Sequence, residues 1–192
     1  TDWELFRDQP ERIVQIWKGG LGIWGGILLG VVVGVWEGRR RGISTPALLT
    51  CVAPALPLAQ SIGRWGNWFN QELFGRPTTL PWGLEVSEFH TRQSGYPVGT
   101  LFHPTFLYES LACLVLCGLL LFIDKLEKRQ GFLFAYYTAG YTMFRFFNEG
   151  LRIDPAHSAG GLRLNQWVSV VVFVISVAIL LKPQRHQSDL TA

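Results

Sequence analysis

A chain of 192 residues with 17 Lys and Arg, 14 Asp and Glu and a formal net charge of +3 lacks the basic excess that a nucleic-acid partner selects. Charged residues make up only 16% of it and hydrophobic ones 48%, against roughly 25% charged in ordinary soluble domains. The apolar residues fall in long blocks rather than amphipathic stripes, which a soluble core does not need and a bilayer does, at about 20 apolar residues per helix.

The sequence opens at Thr1 without an initiator Met. No signal-peptide pattern precedes the first block, so a fragment or a processed form is expected and nothing is set aside as a targeting segment. Five apolar segments follow, at about 20–36, 46–62, 104–123, 131–147 and 166–181. Together they predict an all-α fold: a polytopic integral membrane helix bundle of about five transmembrane helices. Residues 1–192 then form a single transmembrane domain, with a long external loop over 63–103 between the second and third spans.

The first segment carries GGLGIWGGILLG over 19–30, and small residues of this kind let helices approach closely in lipid. The second holds Pro54 and Pro57, which predict a kink tolerated where neighbouring groups satisfy the freed carbonyls. The third and fifth have few interior charges and many Leu, Val and Ile. Cys51, Cys113 and Cys117 all lie in apolar blocks, where a thiol behaves as a small hydrophobe. They form neither a disulfide framework nor a zinc-type cluster.

The connectors set the orientation. Arg39, Arg40 and Arg41 follow the first segment; Lys125, Lys128 and Arg129 follow the third; Lys182 and Arg185 follow the fifth. These alternate connectors share one side, which the bias of Lys and Arg makes cytoplasmic. The other side receives residues 1–19, the loop 63–103 with Trp65, Trp68, Trp82, Phe69, Phe74 and Phe89, and the connector 148–165. Trp82 reads as an interfacial anchor.

Ionisable groups at membrane depth are costly and mark function by default. They gather at three outer helix ends. In the first, Arg64, Asn67 and Gln71 share a face if the helix continues past Ile62, with Asn70 and Glu72 beside them. An arginine with amide partners can grip a phosphate through two parallel hydrogen bonds; a capped helix end with Arg64 snorkelling to the interface is the other possibility. In the second, Tyr141, Arg145, Glu149 and Arg152 fall on one helical stripe at spacings of four, four and three, lining a polar cavity or forming a plain ion pair. In the third, His103 precedes Pro104 at a helix start, and Glu109 lies a few residues into the apolar span. His103 by itself fits an interfacial histidine as well as a catalytic one. An external, cation-rich site at membrane level implies an anionic lipid headgroup as ligand.

The pattern G-R-x-G-N-aromatic-x-N-x-E-x-x-G, present from Gly63 to Gly75 as GRWGNWFNQELFG, is similar to the signature of the prolipoprotein diacylglyceryl transferase family. GGLGIWGGILLG (19–30), HPTFLYE (103–109) and YTMFRFFNEGLR (141–152) resemble further family blocks in the same order. The resemblance implies an enzyme of bacterial lipoprotein maturation in the cytoplasmic (inner) membrane, with its active site toward the external face. It would move the diacylglyceryl group of phosphatidylglycerol onto the lipobox cysteine thiol of a prolipoprotein, forming a thioether and releasing glycerol 1-phosphate. By similarity, Arg64, Asn67, Asn70 and Glu72 belong to the lipid site, Arg145 and Glu149 form the essential pair, and Tyr141 and Arg152 support them. Arginines suit a phosphate leaving group, and a base must help form the thiolate; Glu149 and His103 are the candidates. Neither a metal nor an organic cofactor is implied.

Two departures stand beside the resemblance. Trp24 occupies a position where many relatives carry His, and the chain opens just before what resembles the family's third span. A transporter would instead place charges near the midplane and show an internal repeat, which this chain does not. A lipid-binding membrane protein without catalysis stays open as the other alternative.

Overall fold

The computed structural model describes residues 23–127, 129–154 and 158–182. The start of the GGLGIWGGILLG block, Lys128, Arg185 and the side chain of Trp24 lie outside the described residues. The described part is predominantly helical, and the chain divides between Leu48 and Leu49 into two units.

In the first unit, helix α1 (Ile23–Arg40) ends on Arg39 and Arg40. Its carbonyls are capped by Gly42, which adopts φ +75°, with Gly42 N–H donating to Arg39 O at 3.0 Å and Ile43 N–H to Gly38 O at 2.9 Å. This paired closure needs a left-handed residue just past the helix, a conformation glycine enters without a Cβ penalty. The basic run is held locally: Arg41 Nε lies 2.6 Å from Glu37 Oε1.

The second unit contains the rest of helix α2 (Thr45–Gly63), the short α3 (Trp65–Phe69), α4 (Glu88–Gln93), and the long helices α5 (Thr105–Asp124), α6 (Phe132–Leu151) and α7 (Leu164–Leu180). Two helical stretches, Thr45–Phe69 and Thr105–Asp124, are long and apolar enough to cross a membrane, and α7 is a shorter apolar helix. Pro54 and Pro57 both sit inside α2. α6 carries Arg145, Asn148 and Glu149 in its last turns, which lowers its hydropathy.

Side-chain distribution runs opposite to a soluble bundle. Val115 and Phe122 on α5 and Val171, Val174 and Ile175 on α7 are exposed, whereas Ser61, Ser110, Ser169 and Ser176 are buried. A soluble protein covers such apolar faces; helices in lipid bury small polar residues against one another instead. Ser61 Oγ meets Ser110 Oγ at 3.0 Å between α2 and α5, and Thr138 Oγ1 meets Ser176 Oγ at 2.7 Å between α6 and α7. A small apolar cluster of Ala53, Leu120, Leu133 and Tyr137 lies within the bundle.

Polar contacts fix which helix ends lie together. Gly131 N–H donates to Thr50 Oγ1 at 2.7 Å, and Arg129 Nη1 donates to Lys182 O at 3.2 Å. The start of α2, the α5–α6 connector and the end of α7 therefore share one end, which is the basic one. The opposite end gathers Gly63, Thr105, Leu151 and Leu164.

Over that opposite end lies the segment 70–103, which is folded rather than an open loop. Strand β1 (Leu84–Glu85) pairs antiparallel with β2 (Leu101–Phe102), and Phe74, Val86 and Phe102 are buried together. A second short pair, β3 (Ser158–Ala159) with β4 (Leu162–Arg163), precedes α7. Two-residue strands are too short to leave an alternating pattern, so an all-helical expectation omits them. The chain at Gly75 threads between two neighbours: Gly75 N–H donates to His103 O at 2.9 Å, and Arg76 N–H donates to Leu151 O at 2.9 Å. A Cβ on Gly75 would lie 2.8 Å from His103 Cβ and 2.9 Å from Thr105 Cγ2.

That close approach makes Gly75 a structural requirement. Gly75→Ala is expected to destabilise the protein by about 1–3 kcal/mol through forced overpacking. Gly66, with nothing within 4 Å of its added Cβ, should accept Ala without loss. Thermal unfolding of both variants in detergent checks the pair, and equal melting temperatures would refute the threading.

Candidate functional site

Four guanidinium groups and three carboxylates form one network at the end where α2, α5, α6 and α7 meet. Glu109, in the second turn of α5, is buried to 2% exposure. Its Oε1 lies 2.7 Å from Arg64 Nη2, and its Oε2 lies 3.0 Å from Arg145 Nη1. Tyr141 OH donates to Glu109 Oε1 at 3.1 Å and Asn148 Nδ2 donates to Oε2 at 3.1 Å. One carboxylate thus joins an arginine at the α2–α3 junction to one on α6, with both oxygens engaged twice.

Glu149, one turn beyond Arg145, is fully buried at 0% exposure. Its Oε2 lies 2.7 Å from Arg145 Nη2 and 3.6 Å from Arg152 Nη1. Its Oε1 lies 2.9 Å from Arg163 Nε and accepts from Asn165 Nδ2 at 3.2 Å. The Arg145 and Arg163 contacts are close in distance but turned off the hydrogen-bond direction, so they act by charge. Asp154 completes the chain, 2.7 Å from Arg152 Nε and 2.8 Å from Arg163 Nη2. Burial alone would raise the Asp154 carboxyl, but the hydrogen bonds and charges of Arg152 and Arg163 outweigh it and hold it below the usual carboxylate range. Asn148 Oδ1 is buried without a hydrogen-bond partner among the described residues.

The structure therefore unites Arg64, Tyr141, Arg145, Glu149 and Arg152 from the sequence-derived set. The stripe Tyr141, Arg145, Glu149 and Arg152 works because spacings of three and four put all of them on one face of α6. Three others form a separate knot: Asn67 Nδ2 and Asn70 Nδ2 each donate to Glu72 Oε1 at 3.1 Å. Gln71 leaves the face of Arg64, because the helical run ends at Phe69 and Gln71 adopts φ +50°. Its side chain accepts from Ser87 N–H at 2.8 Å. A hollow of about 430 Å³ runs beside this knot to Asp154, with Phe74, His90 and Ile153 among its lining residues.

His103 takes a third position. Its Nδ1 lies 3.0 Å from Tyr108 OH, which accepts from Trp82 Nε1 at 2.8 Å. Trp82, expected as an interfacial anchor, thus also belongs to a polar triad. His103 reaches the arginine network through backbone: Gly75, bonded to His103 O, forms an antiparallel bridge with Arg152.

Sequence reasoning singled out Glu109 without giving it a role, and it missed Asn148, Asp154, Arg163 and Asn165. Asn148 had a signal, since it adjoins Glu149 inside an apolar run. Asp154 and Arg163 had none, because they pair across a connector that has no period.

Such a fold, apolar outside with a buried arginine–carboxylate network at one end of its helices, is that of a membrane-type helical protein. The sequence profile of the family described as prolipoprotein diacylglyceryl transferase matches residues 3–182. The chain is 54% identical over 94% of its length to the phosphatidylglycerol–prolipoprotein diacylglyceryl transferase 2 of Streptomyces coelicolor, covering 57% of that protein. It is 49% identical to the Streptomyces griseus enzyme of the same name over 94% of this chain and 55% of that one. It is also 44% identical to the Mycobacteroides abscessus enzyme, over 100% and 61%. The chain belongs to the prolipoprotein diacylglyceryl transferase family, and it spans somewhat more than half the length of these relatives.

Glu109 is the group on which the network hinges. Glu109→Ala would leave Arg64 and Arg145 facing each other with one counter-charge removed, and removing one partner of a buried pair costs about 3–5 kcal/mol. A clear fall in the detergent melting temperature is expected, larger than for Glu72→Ala in the exposed knot. Equal effects would show that Glu109 is not the hub.

Proposed function

We propose that the protein containing this chain transfers the diacylglyceryl group of phosphatidylglycerol to the lipobox cysteine of a prolipoprotein in the bacterial inner membrane. The observation that carries the proposal is the coupling of Arg64 and Arg145 through Glu109 at 2.7 and 3.0 Å. Two guanidinium groups, one from the α2–α3 junction and one from α6, then converge on one point at a helix end, where a lipid phosphate would lie. The names of the relatives supply the two substrates, and the network supplies chemistry suited to them.

In the proposed reaction the thiolate sulfur bonds to the diacylglyceryl carbon while that carbon's bond to the phosphate oxygen breaks. The electron pair departs on the phosphate, which leaves as glycerol 1-phosphate, and the thiol proton passes to a base. Arg64 and Arg145 stabilise the charge growing on the leaving phosphate. Arg152 and Tyr141 hold the same face in place, and the Asn67–Asn70–Glu72 knot borders the headgroup. Between the two candidate bases, the geometry favours His103. Glu149 is fully buried among Arg145, Arg152 and Arg163, where a substrate thiol has no access, while His103 is only partly buried.

The same proposal assigns five spans of one transmembrane domain, with the basic end in the cytoplasm and the network outside. Arg129 and Lys182 at one end, and the arginine network at the other, fit the bias of positive loop residues. Neither a metal nor an organic cofactor enters the scheme.

Full-length protein incubated with phosphatidylglycerol and a lipobox peptide should yield the diacylglyceryl adduct by mass spectrometry. Arg145→Ala and Glu149→Ala should lower the rate by roughly 100-fold or more, the scale of losing one preorganised donor to a developing anion. Phosphatidylglycerol binding without any adduct would favour the non-catalytic lipid-binding alternative. For orientation, a cysteine at Glu88, whose side chain is 70% exposed, in a variant lacking Cys51 should react with an impermeant reagent from outside. Protection there would invert the topology.

A further inference from the structure

Arg163 lies outside the stripe that defines the α6 face, yet it touches more of the network's acceptors than any other described arginine. It is the residue immediately before α7, on strand β4. Nε lies 2.9 Å from Glu149 Oε1, Nη2 lies 2.8 Å from Asp154 Oδ2 and 2.9 Å from Asp154 O, and Nη1 donates to Arg152 O at 2.9 Å. Nη1 and Nη2 are therefore hydrogen-bonded to protein, and Nε faces the Glu149 carboxylate by charge in a buried position. With the side chain only 15% exposed and turned toward these acceptors, its contribution passes through the groups it holds.

Its backbone is fixed as firmly as its head. Gln166 Oε1 accepts the Arg163 N–H at 3.0 Å, and Gln166 Nε2 donates to Phe146 O at 3.2 Å, beside Arg145 on α6. Gln166 is itself buried. The start of α7 is thus pinned to the last turns of α6 at the level of Arg145. Glu149 is gripped from two directions, by Arg145 on its own helix and by Arg163 from the next. A carboxylate held only by its own helix neighbour would be free to swing with it; the second grip fixes where Arg145 finds its partner.

We propose that Arg163 is a positioning residue for the transfer reaction: it fixes Glu149 and Asp154, and through Glu149 it sets the orientation of Arg145 toward the phosphate. The inference rests on the proposed transfer. Only an arginine does this work, because one planar fork reaches Glu149, Asp154 and the Arg152 carbonyl at once, and a lysine ammonium cannot.

The test is a double-mutant cycle in the full-length protein, assayed with phosphatidylglycerol and a lipobox peptide. Arg163→Gln should lower kcat by roughly 10- to 100-fold, since a displacement of about 1 Å in a positioned group has that effect. KM for phosphatidylglycerol should change much less. Arg163→Lys should recover little of the loss. In an Arg163→Gln, Glu149→Gln double variant, the rate should fall no further than in Glu149→Gln alone, because both changes break the same linkage. Multiplying losses in the double variant would overturn the inference, as would a rise in KM with kcat intact, which would mean direct contact with the lipid. Where Arg163→Gln lowers yield, Asp154→Asn serves as the second variant. It removes the other charged anchor of the same guanidinium and should give a smaller loss in kcat, again with KM held; unchanged kcat in that variant would also overturn the inference. Absence of any adduct from the wild-type protein would remove the transfer reading and this inference with it, whereas an active wild type with additive variants removes the inference alone.

Discussion

Burying an arginine in a membrane-level site carries a penalty of several kcal/mol unless its charge is matched and its hydrogens are taken up. Arg145 meets that constraint by lying between two carboxylates, Glu109 from α5 and Glu149 from its own helix. The remaining features of this end of the protein follow from it. Glu109 needs a second cation, which Arg64 supplies from the end of α2. Glu149 needs partners on its far side, which Arg152, Arg163 and Asn165 supply. The polar contacts deeper in the bundle, such as Ser61 with Ser110 or Thr138 with Ser176, are worth on the order of 0.6 kcal/mol each between membrane helices. They keep helices in register, but the ion network decides how the helix ends are arranged.

The signature from Gly63 to Gly75 does two separate jobs in this arrangement. Its first part delivers Arg64 into the network. Its last part returns the chain to the bundle, where Gly75 passes between His103 and the end of α6 because no side chain fits there. Thr105 Oγ1 donating to Leu73 O adds a further tie at the same place. Between them, Asn67, Asn70 and Glu72 stabilise the turn that the positive φ angles of Gln71 and Leu73 require. The motif thus has a half that delivers charge and a half that returns the chain.

Helices were readable from the sequence because lipid imposes a length, and the apolar blocks meet it almost residue for residue in α2, α5 and α7. The α6 stripe was readable because four residues at helical spacing stand out against an apolar run. What was not readable shares one property: it pairs residues that no periodicity links. Arg163 looks like a flanking charge at the start of an apolar helix, and Asp154 like an ordinary connector acid, until folding brings both to Glu149 and Arg152. The strands and the Phe74–Val86–Phe102 cluster were hidden for a similar reason, since aromatic residues in an external loop read equally well as interfacial anchors. Gln71 was placed on the face of Arg64 by extending a helix that in fact stops at Phe69.

The charge count of the network bears on what it is built to receive. Arg64, Arg145, Arg152 and Arg163 face Glu109, Glu149 and Asp154, leaving a surplus of one positive charge among groups that are already paired. A phosphodiester carries a single negative charge, so it would bring the site to neutrality without requiring any carboxylate to leave. If its ester bond breaks as proposed, the departing phosphate monoester would gain a second negative charge. In the proposed reaction the added charge would fall nearest Arg64 and Arg145, the two cations that share Glu109 and could shift their contacts from it to the phosphate. Glu149, held from behind by Arg152 and Arg163, does not compete for them in the same way. The asymmetry between a shared, exchangeable carboxylate and a fixed one is what would let this site bind the ground state modestly and stabilise the leaving group more strongly, which is the condition for catalysis rather than mere lipid binding.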